Sequence, residues 1–309
     1  MYLFSLLVVL ICALAYTTKA SRSPPPVIAI VSHPLNATHE YIATSYIKNL
    51  EMSGARVLRV PYEGADDLNW VKDNTNGLFL MGGSAHLTDG VRELFDAVRE
   101  IDKYPIWGTC LGFEWIHQMI SGDDSIIDAK LDAENYSIPL NLTTVGESSR
   151  LLNSGEGKEW SVDVKSMVQN YPITLNNHMH GVYTKDFEAN SNLVDFFDVI
   201  STNVDRNGIS FISTVESKDP EDMIYATQWH PEKNTFEYGA QAKVDGDFMQ
   251  EDIDHGEVGR RVSFEMGNFF VKQIGNEGRY DGTRMLALEE SEGRVEGDTS
   301  FEERLVFKI

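Results

Sequence analysis

The sequence predicts an α/β domain, with a mostly parallel central sheet and helices on both faces. Two observations carry this. Short strand-like runs alternate with segments of helical apolar spacing for about a hundred residues, and the joins between them are short. Length and composition set the scale. The 309 residues, 42% hydrophobic and 24% charged, suffice for one large domain and exclude a disordered chain.

The elements follow in order. Ser21 to Pro26 is a polar, proline-rich lead-in. Val27 to Val31 is continuous and β-branched, a buried strand. Tyr41, Ile42, Tyr46, Ile47 and Leu50 have helical spacing, which predicts a helix from Tyr41 to Ser53, stopped by Gly54. Arg56 to Val60 is the next strand, ended by Pro61. A short helix at Leu68 to Asn74 precedes a strand at Gly77 to Met81. A helix at Val91 to Lys103, a strand at Tyr104 to Gly108 and a helix at Leu111 to Ile120 complete the alternation. From Ser121 to Val168 the pattern weakens into polar loops and β-like pieces. Strand-like runs return at Ile209 to Val215 and Met223 to Trp229. Val262 to Ile274 reads as a closing helix, and Arg304 to Ile309 as a strand added at an edge. No repeat or long linker divides the chain. Residues 21–309 therefore read as one domain with an acidic segment from about 279.

Charge narrows the partners. Lys and Arg number 26 against 48 Asp and Glu, a net −22. Phosphate backbones are repelled, which excludes nucleic acid. A small anionic substrate needs a local basic pocket. The acidic run from Asp245 to Glu257 and the tail from Arg279 read as solvated surface. An anionic substrate would meet this protein more readily at mildly acidic pH and in added salt.

Residues 2–16 form an apolar run ending near Thr18-Lys19-Ala20, the pattern of a secretory signal peptide over residues 1–20. The run is too short for a spanning helix. No membrane role is expected after leader cleavage, which also removes Cys12 and leaves Cys110 as the sole thiol. Sequons at Asn36, Asn135 and Asn141 fit an exported glycoprotein.

Three motifs carry chemistry. Gly108-Thr109-Cys110-Leu111-Gly112 lies between a strand and a helix, the setting of a nucleophile elbow. There the helix N-terminus favours thiolate over thiol. Gln228-Trp229-His230-Pro231-Glu232 follows a strand. It offers His230 as base and leaving-group acid, with Glu232 to orient its ring. Gly82-Gly83 follows another strand, and the Gly83 amide with that of Leu111 would form an oxyanion hole. His178 and His180 stand two apart in a strand with no ligand cluster, so neither a metal nor a cofactor is expected.

Cys110, His230, Glu232 and the Gly-Gly turn resemble the class I glutamine amidotransferase-like superfamily. Within it, Phe79 to Ser84, Trp107 to Glu114 and Gln228 to Lys233, with the segments Pro26 to Ile30 and Tyr41 to Val57, resemble the γ-glutamyl hydrolases, folate-deconjugating cysteine peptidases. The resemblance runs from about residue 26 to about 274. It implies the superfamily's fold, with Cys110 as nucleophile, His230 as proton donor and Glu232 completing a triad. It implies Gly82, Glu114 and His178 as substrate-binding candidates, a folylpolyglutamate substrate, and a secreted, lysosomal or vacuolar location. A homodimer is compatible with this reading. The rivals are a glutaminase-like hydrolase of another γ-glutamyl amide and a non-catalytic binding glycoprotein.

Overall fold

The computed structural model describes residues 24–154, 163–238, 242–244, 247–249, 252–275, 278–296 and 301–309. The leader expected at 1–20 lies outside these residues. The central sheet has eight strands in the order β4-β1-β5-β6-β12-β11-β10-β8. They are β1 (Val27–Val31), β4 (Arg56–Val60), β5 (Gly77–Leu80), β6 (Ile106–Thr109), β8 (Asn141–Leu142), β10 (Phe197–Val204), β11 (Ser210–Ser217) and β12 (Ile224–Thr227). β4, β1, β5, β6 and β12 are parallel, and β11, β10 and β8 are antiparallel. The five parallel strands are short and largely buried, as cover by helices on both faces requires.

Alternate residues of each strand feed two cores. Ile28, Ile30, Phe79 and Trp107 meet α1 (Thr44–Met52) and the long α9 (Glu257–Gln273) through Tyr46, Met266 and Phe270. Val27, Ala29, Leu78 and Ile106 meet α3 (Asp89–Arg99) and α4 (Leu111–Ser121) through Leu94, Phe95 and Ile116. The short α2 (Leu68–Asn74) and α3 begin at real caps. Asp67 accepts from the Trp70 N–H, and Thr88 from the Val91 N–H. Between β8 and β10 lie α5 (Val164–Asn170), α6 (Thr184–Ala189) and α7 (Ser191–Phe196). β9 (Thr174–His178), in the same stretch, pairs with β7 (Ala133–Ile138), which precedes β8.

Two expectations are corrected. The helix predicted from Tyr41 begins at Thr44, because His39–Ala43 is strand β3. The tail strand is not at an edge. β16 (Glu303–Lys308) lies inside a second sheet, β15-β16-β3-β2, formed with β2 (His33–Asn36) and β15 (Gly293–Glu296). Pairing of Leu305 with Ile42 and Val306 with Tyr41 makes β3 a strand, and local periodicity cannot report a partner so distant in sequence. The tail is therefore not all solvated surface. Phe301, Leu305 and Phe307 are buried in it. The remaining elements are α8 (Lys233–Phe236), a ribbon of β13 (Ala242–Val244) and β14 (Asp247–Met249), and α10 (Ala287–Glu290).

A buried ion-pair network fastens the tail. The Arg59 guanidinium reaches Glu40 at 2.7 Å and Glu290 at 2.6 Å. Glu40 also accepts from the Ser32 hydroxyl and the Tyr62 N–H. Arg59→Met should cost about 3 kcal/mol in urea unfolding, because Glu40 is left charged and buried without a cation. Adding Glu40→Gln should recover part of that loss.

Candidate active site

Three neighbouring parallel strands end at one edge of the sheet, and each delivers one motif. β5 runs into Gly82-Gly83, β6 into Cys110, and β12 into Gln228-Trp229-His230. Ligands of open α/β sheets bind beyond the carboxyl ends of strands for this reason. The Cys110 N–H donates to the Thr227 carbonyl at 2.8 Å, which locks β6 to β12 where both strands stop.

Cys110 has φ 53° and ψ −107°, a conformation costing a non-glycine residue on the order of 1–3 kcal/mol. Close packing holds it there. A methyl on Gly112 would run into the Leu80 carbonyl of β5, so only glycine lets α4 start against the sheet. The sequence-based thiolate is corrected here. Burial pushes the Cys110 thiol up, and the carboxylates of Glu114 and Glu232 add to it. The Leu111 N–H and Lys233 oppose this but do not offset it. The helix N-terminus helps, yet desolvation wins, and the resting group is a neutral thiol.

A base must therefore take its proton. His230 is buried, and its Nδ1–H donates to Glu232 Oε1 at 2.7 Å. That bond leaves Nε2 as the nitrogen for proton exchange. An added Cβ on Gly82 would lie 2.9 Å from His230 Cε1 and 3.2 Å from Cys110 Cβ, so all three residues meet at one point. Tyr46, absent from the sequence-derived site, stands there too. Its hydroxyl accepts from the Gly82 N–H at 3.0 Å and lies 3.3 Å from His230 Nδ1. Gly82 is thus engaged by the protein's own tyrosine, which leaves the Gly83 and Leu111 amides as the oxyanion-hole candidates.

The other candidates lie close by. Glu114 is buried one turn after Cys110 and accepts from Gln228 Nε2 at 3.0 Å, with burial raising its carboxyl to about 7. His178 is buried in β9. Its Nδ1 lies 2.7 Å from the His180 carbonyl, and burial lowers it to about 3, helped by the charge of His230. Buried Lys233 follows Glu232 and was likewise not singled out from sequence. His33 packs behind Gly83 with both ring nitrogens unpartnered. The sequon asparagines lie apart, Asn36 and Asn141 exposed and Asn135 half-buried. Among the described residues no three His, Cys, Asp or Glu side chains group as metal ligands.

The parallel edge and the cysteine elbow define a class I glutamine amidotransferase-type domain. A family model described as Glutamine amidotransferase class-I matches residues 38–244. Gamma-glutamyl hydrolase B of Dictyostelium discoideum is 32% identical over 265 residues, spanning 80% of this chain and 72% of that protein. Gamma-glutamyl hydrolase of Mus musculus is 31% identical over 293 residues, 88% of this chain and 86% of that protein. The Homo sapiens gamma-glutamyl hydrolase is 33% identical over 244 residues, 75% and 70% respectively. The chain belongs to the gamma-glutamyl hydrolase family.

Burial of opposite kinds shapes the pH dependence of stability. His33, His117 and His178 are held down to about 3, 4 and 3 from an ordinary 6.5. The unfolded chain binds those protons more readily, so their contribution is lost as pH falls below about 6.5. Glu114 and Glu237 are raised to about 7 from 4.5. The folded chain keeps those protons, so their contribution is lost as pH rises through about 7. The urea midpoint should therefore peak between about pH 6 and 7 and fall increasingly below about pH 5. A peak below pH 5 would contradict this assignment.

Proposed function

We propose that the chain hydrolyses γ-glutamyl bonds in folylpoly-γ-glutamates and related γ-glutamyl peptides through a cysteine thioester. The convergence of Cys110, His230 and the Gly82-Gly83 turn on adjacent strand ends, in a chain of this family, carries the reading. His230 Nε2 takes the Cys110 proton as sulfur attacks the γ-carbonyl carbon. The carbonyl oxygen becomes an oxyanion held by the Gly83 and Leu111 N–H groups. His230 returns the proton to the leaving amine, and the carbon–nitrogen bond breaks to leave a γ-glutamyl thioester. Water, deprotonated by His230, then releases the acid and restores the thiol. Glu232 fixes the ring and stabilises the imidazolium.

Incubation with a defined folate polyglutamate and, in parallel, with glutamine tests this, read by product masses and ammonia. Cleavage of the polyglutamate is expected; ammonia release from glutamine alone would instead favour a glutaminase-like hydrolase. Cys110→Ala should leave no turnover. His230→Asn should cost roughly 10²–10⁴-fold in kcat, and Glu232→Gln less. A Glu232→Gln variant slower than His230→Asn would contradict the orienting role.

The apolar leader and the sequons support export to the cell exterior or an acidic lumen. The Asn36 side-chain oxygen accepts from both the N–H and the hydroxyl of Thr38, in an exposed turn. Asn135 Oδ1 is instead taken by the Asp252 N–H. Peptide mapping after glycosidase treatment should find glycans at Asn36 and Asn141 and none at Asn135. Unmodified Asn36 in protein from a secretory host would count against export.

A further inference from the structure

Glu114 differs from three other buried acids, each of which faces a cation or a histidine. Glu232 is paired with His230, Glu40 with Arg59, and Glu216 with Arg150. Glu114 has no Lys, Arg or His partner among the described residues. Its carboxyl accepts from the neutral amide of Gln228, and its own N–H donates to the Cys110 carbonyl at 3.0 Å. A buried carboxylate without a cation neutralises itself rather than ionising. Its raised titration, caused first by desolvation, agrees with that.

Cys110 must become an anion to attack, and Glu114 is the foremost charged group opposing it. The other groups around the sulfur are divided. Glu232 opposes the anion and Lys233 of α8 favours it. Tyr46 of α1 stays a neutral phenol, its hydroxyl pushed well up by burial and by the Glu232 and Cys110 charges. His230 receives the proton, and His178 of β9 stands neutral beside it.

We infer that Glu114 works as an uncharged acid, and that its ionisation suppresses proton transfer from Cys110 to His230. Two buried anions one helical turn apart cannot be matched by the one imidazolium that the transfer creates. Protonation of Glu114 removes the second anion, so transfer of the Cys110 proton to His230 is easier on the acid side and is opposed as pH rises through neutrality. This makes the acid-side activity of the proposed hydrolase a property of its own site, and so rests on that reading for its biological meaning. The proton transfer itself can be tested without substrate.

The test is alkylation of Cys110 by iodoacetamide in the full chain, followed by peptide mass mapping between pH 5 and 9. Wild type, Glu114→Gln and Gln228→Met are compared after thermal melts establish that each is folded. Glutamine at 114 can still accept from Gln228 but carries no charge. At pH 8 it should be alkylated about tenfold faster than wild type, one unit of thiol titration, and at pH 5 the two should match. Gln228→Met removes the donor that favours the carboxylate, so Glu114 keeps its proton to higher pH and alkylation at pH 8 again rises. Profiles that superimpose for wild type and both variants would overturn the inference. If Glu114→Gln does not fold, Gln228→Met decides alone. Folate-polyglutamate hydrolysis is assayed separately. A shifted alkylation profile in a chain that cleaves no γ-glutamyl bond keeps the acid role of Glu114 and refutes the hydrolase reading, and the converse separates them the other way.

Discussion

The site depends on one steric contact, the approach of Gly112 to the Leu80 carbonyl. It brings the first turn of the helix after Cys110 against β5, the strand that also supplies Gly82-Gly83. Cys110 can then leave β6 only by a sharp reversal, and the cost of its φ of 53° is met by two well-packed elements on either side. Everything else follows from that start. The Leu111 amide faces the sulfur, Glu114 comes round one turn later, and the Thr227 carbonyl ties the elbow to the strand carrying His230. The chemistry is built where helix and sheet are closest, and no side chain beyond hydrogen could stand between them.

Much of the fold was legible because its parallel half is locally encoded. β1 and β5 are short apolar runs, β4 is a short run ended by Pro61, and helical spacing between them leaves few alternatives. The short helix Leu68–Asn74 is legible in the sequence, and in the structure Asp67 caps its start and Thr75 ends it. What escaped was non-local. β3 is a strand because β16 pairs with it, and the apolar spacing of Tyr41 to Leu50 fits helix just as well. The antiparallel end with β10 and β8, and the β7–β9 pair, lie where polar residues dilute the periodicity.

The site divides in the same way. Cys110, His230 and Glu232 were legible because each sits at a strand exit in a motif with its own chemistry. Tyr46 was counted only among apolar helix residues. Nothing local distinguishes a core tyrosine from one whose hydroxyl meets Gly82 and His230, since those contacts span 36 and 184 positions. The protonation of Cys110 is illegible in the sequence for a related reason. The motif announces a helix N-terminus, but the depth at which the sulfur is buried is a property of the assembled cores. Desolvation then outweighs the dipole.

Two sources of pH dependence remain separable on physical grounds. The net charge of −22 is spread over the surface, where about 0.15 M salt screens it beyond roughly 8 Å. Its effect falls on encounter with an anionic substrate and fades as salt rises. Glu114 and Cys110 are both buried one helical turn apart, where mobile ions do not enter and the effective dielectric is low. Their interaction persists at high salt and acts on the proton that the reaction must move. A pH dependence that survives screening belongs to the buried pair, and one that salt erases belongs to the surface. The two are set by different residues, so the surface charge can change without retuning the thiol.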